Sequence, residues 1–284
     1  MRKSQSSLTA AGIAVVRAVE SERPADERIC YDPFARLFVP AWMYRIFGFF
    51  MKIGYTEWRG PGVNGFLAVR DRYIDDVLQN FLKEGLGQLV VLGAGYDSRS
   101  YRFDLAGVKV FEVDHPATQA DKLAKVQAIF GNVPEYVTYI PIDFNVQTLE
   151  ARLLESGYDP KRKTLFIWQG VTMYLTSEAV DSTLSFIANR SGAGSAVVFD
   201  YVYRSVLEGV QKQSEISGMR RYRFMTGEGL TFGIPEGAVE KFLKARGFQH
   251  VKDVDVDYLK ATYFTGKNAG RAVAGGYGIV IGTI

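Results

Sequence analysis

The residues with the most chemistry in them lie between Leu89 and Asp114. "LVVLGAG" (89–95) reads as a buried strand running into a glycine turn, and "VKVFEVD" (108–114) as a second strand ending in Glu112-Val113-Asp114. Gly93, Ala94 and Gly95 at a strand end let the backbone turn tightly and approach a ligand. An acidic side chain at the end of the next strand, Glu112 or Asp114, accepts hydrogen bonds from ribose hydroxyls. Asp114 follows Gly95 by 19 residues, the length of one β-α-β step. Two ligand classes share the adenosine that this pairing suits: a nicotinamide or flavin dinucleotide, and S-adenosylmethionine. The dinucleotide fingerprint wants a third glycine, so that the helix start packs close and faces a pyrophosphate. Here that place is Ser98, with Asp97 beside it. A carboxylate there repels a pyrophosphate but pairs with the amino group of a methionine moiety. The turn therefore favours the sulfonium cofactor. A dinucleotide-dependent oxidoreductase and a non-catalytic cofactor-binding protein are the alternatives.

The elements that must position these residues are legible in the periodicity. Residues 1–86 read as a helical segment. Thr9 to Glu20 is Ala-rich. Asn64 to Glu84 repeats Phe66, Val69, Tyr73, Val77 and Phe81 on one helical face. Residues 88–202 alternate apolar strands with amphipathic helices, the pattern of a parallel sheet covered on both faces. Its later strands are 137–144, 164–170 and 195–202, and Ser177 is a plausible cap for the helix over 177–190. Residues 203–233 are irregular and read as a lid insertion. In 234–284 a helix is expected over Pro235 to Arg246. Two strands, "FQHVKDVDV" and "YGIVIGTI", then pair antiparallel at the sheet edge, joined by a glycine-rich loop without a helix.

Composition excludes several classes. The 284 residues carry 34 basic and 31 acidic side chains, a balance that gives nucleic acid no basic footprint. The lone cysteine, Cys30, makes no internal disulfide, is expected to be a packed thiol, and suits a cytoplasmic protein. Two histidines, His115 and His250, give no basis for a metal site. The most apolar stretch, around Ile46 to Ile53, is too short to span a bilayer; its aromatics could touch a membrane surface, but burial against the main domain is the plainer expectation, so no stable membrane association is anticipated.

Beyond single motifs, the chain resembles the leucine carboxyl methyltransferase-like family, in particular its bacterial and archaeal branch of S-adenosylmethionine-dependent methyltransferases. The segments that carry the resemblance are "AVVRAVES" (14–21), "YDPFA" (31–35), "VRDRYIDD" (69–76), "VVLGAGYDSRSYRF" (90–103), "FEVDHPATQADKL" (111–123), "PIDF" (141–144), "WQGVTMYLT" (168–176) and "GIPEGAVEKFLKARGF" (233–248). The resemblance implies an α/β, seven-stranded, Rossmann-like class I methyltransferase fold with an antiparallel last strand. It implies that Arg70 pairs with the cofactor carboxylate, Gly93 and Gly95 line its methionine part, and Asp114 holds the ribose. Asp143 and Phe144 would flank the adenine, and Arg17 lies in a segment that folds over the cofactor. One departure stands out: the family's usual glutamate is Gln169 here, which keeps hydrogen bonding but brings no charge.

Methyl transfer from a sulfonium is an in-line displacement, so alignment dominates. A carboxylate acceptor is ionised at neutral pH and needs no base, whereas a phenol or alcohol usually does. The residues near the motif offer no compelling base, which favours a carboxyl or acidic hydroxyl acceptor. The segments 203–233 and 42–58 are the candidates for a substrate lid, and their aromatic content suggests a partly apolar small molecule, with a protein C-terminus as the alternative. Tyr174, just after the fourth strand, is the candidate contact near the reacting methyl. Arg220, Arg221 and Arg223 are candidates for a substrate carboxylate, or a solvated face.

Overall fold

The computed structural model describes residues 5–143, 147–209 and 229–284. Seven strands form one sheet: β1 (Gln88–Leu92), β2 (Lys109–Asp114), β3 (Val137–Pro141), β4 (Thr164–Trp168), β5 (Ala196–Val202), β6 (His250–Val254) and β7 (Tyr277–Thr283), in the order β3-β2-β1-β4-β5-β7-β6. Strands β1 to β5 are parallel, and β7 runs antiparallel to both β5 and β6.

The sequence of β1 shows why the sheet is central. Leu89 and Val91 point into one apolar layer with Val110, Leu165, Ile167 and Val198. Val90 and Leu92 point into the other, with Phe111, Phe166, Trp168 and Phe199. Both faces are buried, so the strand is apolar throughout rather than alternating. Each fully buried side chain of this size contributes about 1.5–3 kcal/mol of transfer free energy.

The N-terminal part is helical: α1 (Gln5–Ser21), α2 (Ala35–Phe38), α3 (Ala41–Lys52), α4 (Tyr55–Arg59) and α5 (Val63–Lys83). The expected apolar stripe of α5 is buried. So are Arg70, Asp71 and Asp75, while Arg72 and Asp76 form an i,i+4 pair on its outer side. Further along lie α6 (Arg99–Arg102), α7 (Pro116–Phe130), α8 (Leu149–Glu155), α9 (Ser177–Asn189) and α10 (Arg204–Leu207), then α11 (Val239–Lys244) and α12 (Val256–Tyr263).

Four sequence expectations need correction. The β6–β7 connection contains α12, capped by the Asp255 side chain, which accepts from Tyr258 N–H; its eight residues are too short for a clear amphipathic period. The helix expected from Pro235 starts only at Val239, because Gly237 takes φ +71°, which no right-handed helix accommodates. The cap of α9 is Thr176, not Ser177, with its hydroxyl accepting from Ala179 N–H at 3.2 Å. The stretch from Ile46 to Ile53 is buried on one side only: Phe47 packs inward, while Ile46, Phe49, Phe50 and Ile53 are exposed, as are Trp42, Tyr55 and Trp58 beside it. Of the lid insertion, 210–228 lie outside the described residues, and with them Arg220, Arg221 and Arg223. Its two flanks are anchored, by a parallel bridge between Tyr203 and Ile234 and by Thr231 N–H donating to Met173 O.

Candidate active site

The strand order reverses at β1 and β4, and in open α/β sheets the crevice beyond the carboxyl ends of such strands receives ligands. The turn after β1 is shaped for close approach. Gly93 has φ +66°, and a Cβ there would sit 2.3 Å from Val171 Cγ2. Gly95 has φ +43°, and its Cβ would lie 3.2 Å from Ala10 Cβ on α1. Only glycine fits both the dihedral and the space. The N–H groups of Gly93 and Ala94 donate to Val113 O, and Gly95 N–H donates to Asp114 Oδ2 at 2.6 Å.

Asp114 thus closes the turn from the end of β2, its Oδ1 also accepting from His115 N–H at 2.6 Å. Burial pushes its carboxyl above the ordinary value, and the two N–H donors partly offset this. His115 caps α7, its Nδ1 accepting from Ala117 N–H at 3.3 Å. Glu112, two residues earlier on β2, is fully buried and occupied by Ser100 Oγ–H (2.6 Å) and Lys122 Nζ (2.6 Å). Its carboxylate braces α6 and α7 against the strand. Burial raises its pKa, with Lys122 opposing.

Beside the turn lies a buried network that sequence reading did not assemble. Arg99, the first residue of α6, is its hub. Its Nε donates to Asp75 Oδ1 (2.8 Å), and its Nη1 donates to Asp97 and to Gln169 Oε1 (3.0 Å). Its Nη2 lies 3.4 Å from Asp71 Oδ1. Burial alone would raise the Asp97 carboxyl, but Arg99, Lys122 and Arg17 outweigh it and hold the group at about 2. Gln169, after β4, accepts from Arg99 and donates through Nε2 to Asp71 Oδ2 at 3.1 Å. An amide suits this place because it does both at once; a carboxylate only accepts.

Three further arginines complete the network. Arg102 on α6 donates through Nη1 and Nη2 to Asp75 Oδ2 and Oδ1, both at 2.7 Å. Arg17 on α1 donates to Asp32 Oδ2 (2.9 Å) and to Tyr96 O (2.5 Å), tying the N-terminal helix to the glycine turn. Arg70 on α5 is 3% exposed, and its Nη1 donates to Asp200 Oδ2 at 2.6 Å. Asp200 Oδ1 in turn accepts from Gly170 N–H at 2.6 Å. Gly170 has φ +70°, and a Cβ there would approach Arg70 Nη1 to 3.4 Å. The Nε and Nη2 of Arg70 are buried with no hydrogen-bond partner among the described residues. Buried donors left unmatched in this way call for an explanation, because such groups are ordinarily paired.

The structure therefore brings together Arg17, Arg70, Gly93, Ala94, Gly95, Asp97, Asp114 and Gln169, while Glu112 serves beneath them. Asp143 follows β3, its N–H donating to Gln147 Oε1 at 3.1 Å, and the neighbouring Phe144 lies outside the described residues. Tyr174 is half-buried in the single turn of 3₁₀ helix after β4 (Thr172–Tyr174), whose Thr172 hydroxyl donates to Asp200 O. Cys30 is buried and its thiol pushed well up by desolvation, the packed thiol expected. No group of His, Cys, Asp and Glu among the described residues is placed to hold a metal.

The sequence profile of the family described as leucine carboxyl methyltransferase matches residues 10–188, more than half of the chain. The chain belongs to this family. YktD of Bacillus subtilis, named as a candidate S-adenosyl-L-methionine-dependent methyltransferase, is 30% identical over 195 residues, covering 67% of this chain and 64% of that protein. A protein of the same designation from Mycolicibacterium smegmatis is 31% identical over 207 residues, covering 68% of this chain and 62% of that one. The match thus spans less than two thirds of the length of these two relatives. A crystal structure of a candidate methyltransferase from Thermobifida fusca shares the fold, with a TM-score of 0.55 at 14% identity, covering 95% of this chain and 93% of that one.

Proposed function

We propose that this chain is an S-adenosylmethionine-dependent methyltransferase acting on a carboxylate, or an acidic hydroxyl, of a small molecule. The observation that carries the reading is Arg70. It is a buried guanidinium at the switch point, beside the glycine turn, with two donors unmatched. Charge supports the choice of ligand. Four arginines (17, 70, 99, 102) meet five aspartates (32, 71, 75, 97, 200) in the network, and Asp114 at the turn adds a sixth carboxylate, so the site is negative in balance. A ligand with one ammonium, one sulfonium and one carboxylate carries net +1 and complements it. A glutamate at 169 would add a further negative charge against Asp71, which the neutral Gln169 avoids.

S-adenosylmethionine supplies an already activated methyl group on its sulfonium. For the chain itself, Arg70 receives the carboxylate of the methionine part, and Gly93 to Gly95 admit it against the backbone. Asp97, held ionised, favours the ammonium. Asp114 offers its remaining lone pairs to ribose hydroxyls, and Asp143 with Phe144 would border the adenine. Arg17 holds α1 across the turn. Tyr174 is the proposed contact near the acceptor. His115 is engaged as a helix cap and is not free as a base, which favours an acceptor already ionised at neutral pH. An ionised Asp97 in the turn also disfavours the dinucleotide alternative, because a pyrophosphate there meets a like charge.

The test is release of S-adenosylhomocysteine from S-adenosylmethionine with pooled acceptors: small carboxylic acids, phenols, and peptides ending in a free carboxylate. Turnover confined to carboxylic acids and acidic phenols is expected. Turnover with peptides alone removes the small-molecule reading, and nicotinamide-dependent redox activity removes the methyltransferase reading.

A further inference from the structure

Helix α3 is apolar on two opposite faces, and only one is covered. Met43, Tyr44, Phe47 and Met51 pack with α1 and α2 in the N-terminal core. Trp42, Ile46, Phe49, Phe50 and Ile53 recur at helical spacing on the other side and are exposed, Trp42 to 60%. The exposed stripe continues into α4: Phe50 contacts Tyr55 at 5.2 Å between ring centroids, and Tyr55 contacts Trp58 at 5.9 Å. Trp58 is 72% exposed. A contiguous aromatic surface of this kind marks an interaction site rather than scattered surface residues.

Charge identifies the occupant. Between residues 35 and 62 the chain has four basic residues (Arg36, Arg45, Lys52, Arg59) and one acidic residue, Glu57. Glu57 Oε1 is engaged by Gly62 N–H at 2.6 Å. Arg45 and Arg59 are exposed at the rim; Lys52 pairs with Glu22 at 2.6 Å. Two copies of this chain meeting through the stripe would set cationic rims against each other. Exposed tryptophans and phenylalanines bordered by arginine suit the headgroup region of a bilayer carrying negative charge. At 12 residues, α3 lies along such a surface and does not cross it, and no helix of the described residues is long and apolar enough to span a membrane.

We propose that the α3–α4 face docks this protein reversibly on anionic lipid surfaces, a property independent of the methyltransferase reading. The full chain is mixed with phosphatidylcholine vesicles, or with vesicles of equal parts phosphatidylcholine and phosphatidylglycerol. Co-sedimentation and tryptophan emission are measured. Of the three tryptophans, Trp168 is 1% exposed and silent, so a blue shift reports Trp42 and Trp58. Binding is expected to the anionic vesicles, weakened by salt. Arg45→Ala and Arg59→Ala should each reduce it about fivefold. The double variant W42A/W58A should abolish sedimentation without shifting the melting temperature, since both side chains lie outside the core. No sedimentation with anionic vesicles overturns the proposal, as does equal, salt-independent binding to neutral ones. A concentration-dependent dimer that W42A/W58A dissociates, with no vesicle binding, assigns the face to a second copy instead.

Discussion

Arg70→Met keeps a flexible side chain of similar reach and removes the guanidinium. Asp200 then loses its 2.6 Å partner while still accepting from Gly170 N–H. A buried charge stripped of its counter-ion costs about 3–5 kcal/mol. With one donor retained, the low end applies, a fall in melting temperature of roughly 6–10 °C. Adding Asp200→Asn removes the stranded charge but keeps a carbonyl for Gly170 N–H. The double variant should recover to within about 1 kcal/mol of the parent, because replacing both members of a buried pair is close to neutral. Ligand binding should behave otherwise. The donors that Arg70 holds unmatched are lost in both variants, and a hydrogen bond to a charged group is worth about 1.5–3 kcal/mol. The Kd for S-adenosylhomocysteine should therefore rise roughly 10–150-fold in the single and the double variant alike. Thermal melting and isothermal titration calorimetry read the two quantities separately. A double variant that regains both stability and affinity, or an affinity unchanged by Arg70→Met, would refute the assignment of Arg70 to the ligand.

Gly93→Ala should destabilise the chain by on the order of 3 kcal/mol, from the left-handed dihedral and the contact with Val171, and Val171→Ala should restore part of it in chemical denaturation. Gln169→Glu keeps the acceptor for Arg99 but sets a carboxylate against Asp71 in place of a donor; a loss of about 1–3 kcal/mol is expected, read from melting temperatures. The Asp97 carboxyl, held at about 2 against an ordinary 3.8, stabilises the fold above pH 3.8, and that contribution is lost as pH falls toward 2. It amounts to about 2 kcal/mol, and Asp97→Asn should flatten this part of the acid unfolding profile.

The strands were legible because burial on both faces forces continuous apolar runs, as in 89–92 and 196–199. The turn was legible because φ above zero demands glycine at 93 and 95. The network around Arg99 was not. Asp71, Asp75 and Arg102 sit in motifs that look like solvated helix faces, and nothing in a one-dimensional pattern says that buried ion pairs join α5 to α6. The one available signal was the crowding of Arg70, Asp71 and Asp75 on a helix whose apolar stripe was already buried. Glu112 illustrates the converse. Its position near a strand end suggested a ribose contact; it shares a face of β2 with Asp114, but two residues further back along the strand it is covered by α6 and α7 and taken up by Ser100 and Lys122. The aromatics of α3 misled for a related reason, since composition marks a residue as apolar without saying which face is covered.

The central claim is that the buried network at the β1–β4 switch point receives a methionine-bearing adenosine ligand. A calorimetric titration of the full chain with S-adenosylhomocysteine, and in parallel with NADH, tests it most directly. Saturable binding of S-adenosylhomocysteine at one site per chain, with no heat from NADH, is the predicted result. Binding of NADH with none of S-adenosylhomocysteine would contradict it.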